Sequence, residues 1–184
     1  MSRVRFATAR ALFESFPKSA TNIVTEPTDE PPLVFLRKLA DAQKFADAVT
    51  FCAHLLPRRE AVWWACGCVR TLLGDIAKSQ AACLLAAEAW VHEPDDERRQ
   101  AALKLGMQGD CNDPLTWLAL GAGWSGGTLS SHPQMPAPVP PYMTARAARI
   151  AVQLSAHFAK EKNKLPAHLQ ACIAEGIKLA ETGL

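Results

Sequence analysis

From Leu33 onward the apolar positions recur at helical spacing. Leu36, Leu39, Ala42, Ala46, Val49, Ala53 and Leu56 fall on one face. They predict either one long helix or two helices broken near Asp41–Lys44. Pro57 suits the first turn of a new helix, where its missing N–H loses nothing. Glu60 adds favourable charge near the positive end of that helix. From Ala61 to Leu73 the only charge is Arg70, and the stretch holds Trp63 and Trp64, two of the five tryptophans. A helix that is apolar nearly all round is buried on most sides, so this one is expected at the centre. Gly67 inside it costs about 1 kcal/mol relative to alanine, which predicts a second backbone passing close by. Gly74 and Asp75 end the helix.

The rest of the chain reads in the same period. Ile76 to His92 is an alanine-rich helix. Pro94-Asp95-Asp96-Glu97 starts the next, which runs through Arg98 to Met107 and closes at Gly109. Asp113 before Pro114 is a cap and first-turn pair, and its helix carries the small residues Ala119, Gly121, Ala122 and Gly123. Thr144 is expected to cap a helix reaching about Ala159. Leu165-Pro166 opens a last one that ends near Gly183. No strand-like alternation spans a strand's length. The fold class is therefore all-α, with seven or eight helices in an irregular bundle or short α-solenoid and a long Pro-rich loop.

Three segments are expected. Residues 1–17 form a short amphipathic helix with Phe6, Ala9, Phe13 and Phe16 on one face. Residues 18–32 form a polar linker with Pro27, Pro31 and Pro32. Residues 33–184 form a single helical domain, with the Pro-rich loop at 125–143. One internal echo aligns Trp63, Ala65 and Gly67 with Trp117, Ala119 and Gly121, as two stacked helical repeats would.

Composition narrows the function classes. The 184 residues suffice for one domain with a real core. The net charge of +2 and the lack of a dense Lys/Arg block argue against nucleic acid as a partner. No apolar run approaches the roughly 20 residues that cross a bilayer, and the N-terminus lacks the apolar core of a secretory signal. Its arginines resemble a mitochondrial presequence less than they fit an amphipathic helix. Four of the six cysteines (Cys52, Cys66, Cys68, Cys83, Cys111, Cys172) lie in apolar helical segments. They read as reduced, structural thiols in a cytoplasmic protein.

Candidate chemistry is thin. Gly123-Trp124-Ser125-Gly126-Gly127 satisfies G-x-S-x-G, a pattern that works on a strand-to-helix turn. Here a helix precedes it and a proline loop follows. The regular triad order leaves only Glu161 and His168 as partners for Ser125, so a glycine-rich helix C-terminus is the better reading. Cys66 and Cys68 would point to different sides of a helix. His54, His92, His132, His157 and His168 are scattered and read as surface groups. Neither a metal nor a cofactor is expected, and no phosphate loop or dinucleotide fingerprint occurs. No catalytic residue is assigned.

Two features point instead to a partner. Arg58 and Arg59 sit at a helix start, which is slightly unfavourable to its dipole. Either a partner or an internal acid (Glu60, Glu88 or the 95–97 cluster) must offset them. Asp95-Asp96-Glu97-Arg98-Arg99 reads as a solvated helix start. The loop from Ser125 to Met143 exceeds the usual length for a structureless connection. It contains Pro133, Pro136, Pro138, Pro140 and Pro141, and Trp124 and Tyr142 flank it as aromatic anchors. It serves either as a binding segment or as a cover for the bundle's own apolar surface. Arg58, Arg59, Trp124, Ser125, Gly126, Gly127 and Tyr142 make up the expected partner-binding surface of a non-enzymatic interaction module. The alternatives are a serine hydrolase using Ser125 and a structural subunit of a larger assembly.

Leu56-Pro57-Arg58-Arg59-Glu60-Ala61-Val62-Trp63-Trp64-Ala65, with Trp117 to Gly127 and the proline loop, resembles an uncharacterised bacterial helical family found in gene neighbourhoods of type VI secretion systems. The likeness covers roughly residues 34–155. It implies a cytoplasmic accessory role, such as an adaptor or chaperone that helps load an effector or spike component, and it assigns no functional residue.

Overall fold

The computed structural model describes residues 4–17, 21–78, 80–129 and 137–184. Among them are nine α-helices: α1 (Ala9–Ser15), α2 (Pro32–Asp41), α3 (Phe45–Leu55), α4 (Arg58–Leu73), α5 (Ala82–His92), α6 (Asp96–Gln108), α7 (Pro114–Gly123), α8 (Met143–Phe158) and α9 (Leu165–Thr182). A 3-10 turn at Lys162–Lys164 precedes α9. No strand occurs among the described residues. The class is all-α, as the periodicity indicates.

The apolar run from Leu33 to Leu56 is two helices. The break falls at Ala42–Lys44, where Gln43 takes a left-handed φ of 56° and Lys44 N–H bonds back to the Leu39 carbonyl. Several helix starts follow the sequence chemistry. Asp95 and Asp113 accept from the backbone N–H groups of Arg98 and Leu115, filling two N-terminal donors. Gly74 and Gly183, both at positive φ, close α4 and α9. Other boundaries differ. The helix expected from Ile76 begins only at Ala82, and Tyr142 rather than Thr144 precedes α8. Thr144 lies inside α8, buried, and its hydroxyl has no partner among the described residues.

Helix α4 is central. It packs against α5, α7, α8 and α9, and Ala65, Val69, Val62 and Trp64 are almost wholly enclosed. In a solenoid each repeat would touch only its neighbours. Here α9 returns to α2, α3 and α4, so the helices close into an irregular bundle. Small residues set the closest approaches. A Cβ on Gly123 would stand 2.7 Å from the Leu103 Cα, so α6 and α7 meet there backbone to backbone. At Gly176 it would collide with the Cys52 sulfur, beside the Trp64 indole. Gly67 corrects the expectation of a passing backbone, since a Cβ there would meet nothing within 4 Å. Its counterpart in the internal echo, Gly121, lies against Ala147 and Val62.

The N-terminal segments join the core. Phe13 of α1 packs edge-on to Phe35 and against Phe51, while Phe16 lies against His54. The expected polar linker is also fixed where it is described. Ile23 is buried, and the buried Asp47 carboxylate accepts from Val24 N–H, Thr25 N–H and the Thr25 hydroxyl. The Ala9 and Arg10 N–H groups donate to the Glu30 and Thr28 carbonyls. A linker sequence is thus held by one buried acid from α3 and by the backbone of α1.

Candidate functional site

The C-terminus of α7 leaves carbonyl groups without helical partners, and two arginines from other helices take them. Arg99 of α6 is 8% exposed. Its Nη1 donates to the Gly123 carbonyl at 3.1 Å and to the Gly126 carbonyl at 3.2 Å. Its Nε and Nη2 both reach Asp96 Oδ1, at 2.8 and 2.6 Å. Arg58, the first residue of α4, donates through Nη1 to the Ser125 carbonyl at 2.6 Å. Gly127 is at φ 78°, and a Cβ there would stand 2.8 Å from the Arg99 guanidinium. Only glycine meets both demands.

This answers how the paired arginines are offset. A cation beside the negative end of a helix is favourable, and both use that interaction on neighbouring helices. Arg58 serves the turn after α7. Arg59 turns to the end of α5, donating to the Val91 carbonyl at 2.6 Å and the His92 carbonyl at 3.4 Å. Adjacent helical residues do not face the same way, so Arg59 is held away from the surface expected to include it. Glu88 is engaged by Arg70 instead. Arg99 corrects the reading of 95–99 as a solvated helix start, because its charge is buried under the turn.

Trp124 sits on that turn, half-buried, with its backbone N–H bonded to the Leu120 carbonyl at 2.8 Å. Its ring meets Trp117 edge to face, centroids 6.3 Å apart. Trp117 is itself fixed through its indole N–H to the Cys111 carbonyl at 2.8 Å. The Pro-rich loop then closes at its base. Thr128 and Pro138 form an isolated antiparallel bridge, Leu129 N–H bonds the Ala137 carbonyl at 2.7 Å, and Val139 N–H bonds the Gly127 carbonyl at 3.2 Å. The middle of the loop, residues 130–136 with Pro133 and Pro136, lies outside the described residues. Tyr142 is half-buried at the start of α8, where its carbonyl accepts the Arg146 N–H. The structure thus brings together Arg58, Trp124, Ser125, Gly126 and Gly127, with Tyr142 three residues beyond the loop's return.

The serine and its sequence partners do not meet. Ser125 is held at the N-terminal end of α4 by Arg58, whereas Glu161 and His168 line a depression with Thr71, Gly74 and Asp75 at the C-terminal end. The 16 residues of α4 separate those ends by about 24 Å. Among the described residues no three His, Cys, Asp or Glu side chains group as a metal would require. Cys52, Cys66, Cys68 and Cys172 are free and buried, and burial pushes the thiols of Cys52, Cys66 and Cys68 up. His54 is buried rather than at the surface, at 2% exposure.

Arg99 is the residue that sequence reasoning missed. The available signal was a glycine-rich turn whose carbonyls needed donors, but nothing in the spacing said which helix would supply them. Arg99→Ala is expected to cost about 2 kcal/mol, the scale of lost charged hydrogen bonds in a buried site. Arg99→Lys should not restore it, because an ammonium cannot span both carbonyls and Asp96 as the guanidinium fork does. Urea unfolding of both variants checks this; a lysine variant as stable as the parent would show that only the charge matters.

The fold and this site define a class: an all-helical domain whose central helix carries paired tryptophans and whose helix α7 ends in an arginine-held aromatic turn. Residues 35–180 match the model of DUF6931, a family of unknown function, and the chain belongs to that family. No curated protein and no solved structure matches the chain.

Proposed function

We propose that this protein is a non-enzymatic interaction module that captures another protein on the surface formed by Trp124, the turn through Gly127, Arg58 and the loop up to Tyr142. The observation that carries this reading is the preorganisation of Trp124. A half-exposed aromatic ring is locked by Trp117 on one side, and its turn is locked by Arg58 and Arg99 on the other. Rigid aromatic anchors lose little entropy on binding and are favoured at the centre of interfaces. The resemblance to a helical family near type VI secretion genes supports a cytoplasmic adaptor or chaperone role, with an effector or spike component as partner. Among the described residues no helix is long and apolar enough to cross a membrane.

Trp124→Ala is expected to abolish capture of a partner in pull-down from the native host while leaving far-UV circular dichroism unchanged. Shortening the loop between residues 129 and 137 should do the same, because the bridge at its base is left in place. Capture that survives both changes places the working surface elsewhere.

A further inference from the structure

A trough of about 470 Å³ runs between α4 and α9, with α5 at its edge. The two helices are antiparallel there: the end of α9 at Leu179 and Ala180 lies near Pro57 and Glu60, and its start at His168 near Thr71. The lining residues on α4 run from Trp63 to Thr71 and those on α9 from Ala171 to Leu179. Each set spans about 12 Å at the helical rise. The volume falls within the range of small-molecule sites, which are mostly apolar with a few placed polar groups.

The floor of this trough is Gly67. Its Cβ position is open space, so the mid-helix glycine serves no close packing. What its lack of a side chain does is leave the trough empty beside Trp63, while the Trp64 indole is enclosed in the core. Trp64 is fixed by donating to the Cys172 carbonyl at 2.8 Å, and Trp63 is half-exposed with its edge toward His92.

The charges decide what would enter. Arg70 and Glu88 form a two-pronged pair at 2.7 and 2.8 Å, cancelling each other at one side. Glu175 is the remaining charge of the lining. Its only ion pair among the described residues is with Lys178, one turn along α9 at 3.3 Å, and Lys178 is not part of the lining. Exposed pairs of that kind hold their partners weakly. A trough with net negative charge beside the half-exposed Trp63 indole attracts a cation through both Coulomb and cation–π terms.

We propose that the α4–α9 trough is a binding site for a small apolar ligand carrying a single ammonium group, with its body over Gly67 beside Trp63 and its charge toward Glu175. This site is separate from the surface around Trp124 and does not rest on it.

The test uses three probes with one body and three ends: 4-phenylbutylammonium, 4-phenylbutanol and 4-phenylbutyrate, titrated into the full chain by calorimetry. The ammonium probe is expected to bind saturably at one site and about tenfold more tightly than either of the others. Glu175→Gln should erase that preference with no change in melting temperature. Gly67→Phe should abolish binding of all three while the chain stays folded, because the Cβ position is open and the ring would occupy the trough itself. The proposal is overturned if the ammonium probe does not bind, if the alcohol or carboxylate binds as well as it does, or if Gly67→Phe leaves binding unchanged. Should Gly67→Phe unfold the chain, Gly67→Leu and the Glu175→Gln preference decide the matter.

Discussion

Lowering the pH from 7 to 4 is expected to remove about 3 kcal/mol of stability through one residue, His54. The imidazole is buried in α3 against Phe16, and its Nδ1 lies 2.8 Å from the Thr50 carbonyl. A carbonyl only accepts, so Nδ1 carries the proton and Nε2 is the bare nitrogen. Nε2 is buried with no hydrogen-bond partner among the described residues. Protonating it would place a charge where nothing can receive the new N–H. Burial accordingly pushes His54 down to about 4; the Thr50 bond opposes this and the nearby Arg149 charge adds to it. The unfolded chain takes up the proton near pH 6.5 and the folded chain only near pH 4. The native state is therefore fully favoured above pH 6.5, and the advantage is lost as pH falls between those values. The difference of about 2.5 pH units corresponds to about 3 kcal/mol. Urea unfolding at pH 7, 6 and 5 should show a falling midpoint in the parent. His54→Gln, which cannot gain a proton, should be nearly flat over that range. Equal slopes in the two proteins would assign the acid sensitivity to other groups.

Trp64→Ala is expected to cost about 4 kcal/mol, in the range for deleting a buried aromatic side chain. That is a large part of the 5–15 kcal/mol that holds an ordinary domain together. Trp64 is 2% exposed, and it ties α4 to α9 both by packing beside Gly176 and through the indole bond to Cys172. Trp64→Phe retains most of the packing and loses the donor, so about 1 kcal/mol is expected from the missing hydrogen bond in addition to the smaller ring. Trp63, its neighbour in sequence, is half-exposed, and Trp63→Ala should cost well under half as much. Chemical denaturation of the three variants separates the two indoles. Equal losses at positions 63 and 64 would contradict the central placement of α4.

The fold class and the central helix were legible because they depend on local rules, although nine helices are described where seven or eight were expected. The run from Ala61 to Leu73, with Arg70 as its one charge, called for burial on most sides, and α4 packs against α5, α7, α8 and α9. Asp95, Asp113 and Gly74 act through groups within a few residues, so they read correctly. Thr144 shows the limit: a hydroxyl beside a helix start is a cap only if the backbone enters there, and the entry falls earlier, at Tyr142. The polar stretch before Pro32 looked unstructured because its hydrogen-bond partners come from elsewhere. Asp47 is on α3, and the backbone that receives it is more than twenty residues away.

The candidate site divides in the same way. Its aromatic and glycine content around Trp124 was visible, since a glycine-rich end to an apolar helix needs donors and positive φ. Which donors arrive was not visible. Arg58, Arg59 and Arg99 look equivalent as charged residues near helix starts. The packing of α4 and α6 against α7 sends Arg58 and Arg99 to one turn, while Arg59 goes to the end of α5. Gly67 made the opposite case, a glycine that local cost suggested was crowded and that the bundle leaves open. By itself the sequence determined the fold class, the central helix and most helix ends, because periodicity and capping act within one or two turns. The tertiary structure alone decided that the bundle closes on itself, which arginines are buried, that His54 is desolvated, and where a trough remains. Those outcomes depend on helix–helix distances between residues far apart in the chain, and no local pattern encodes such distances.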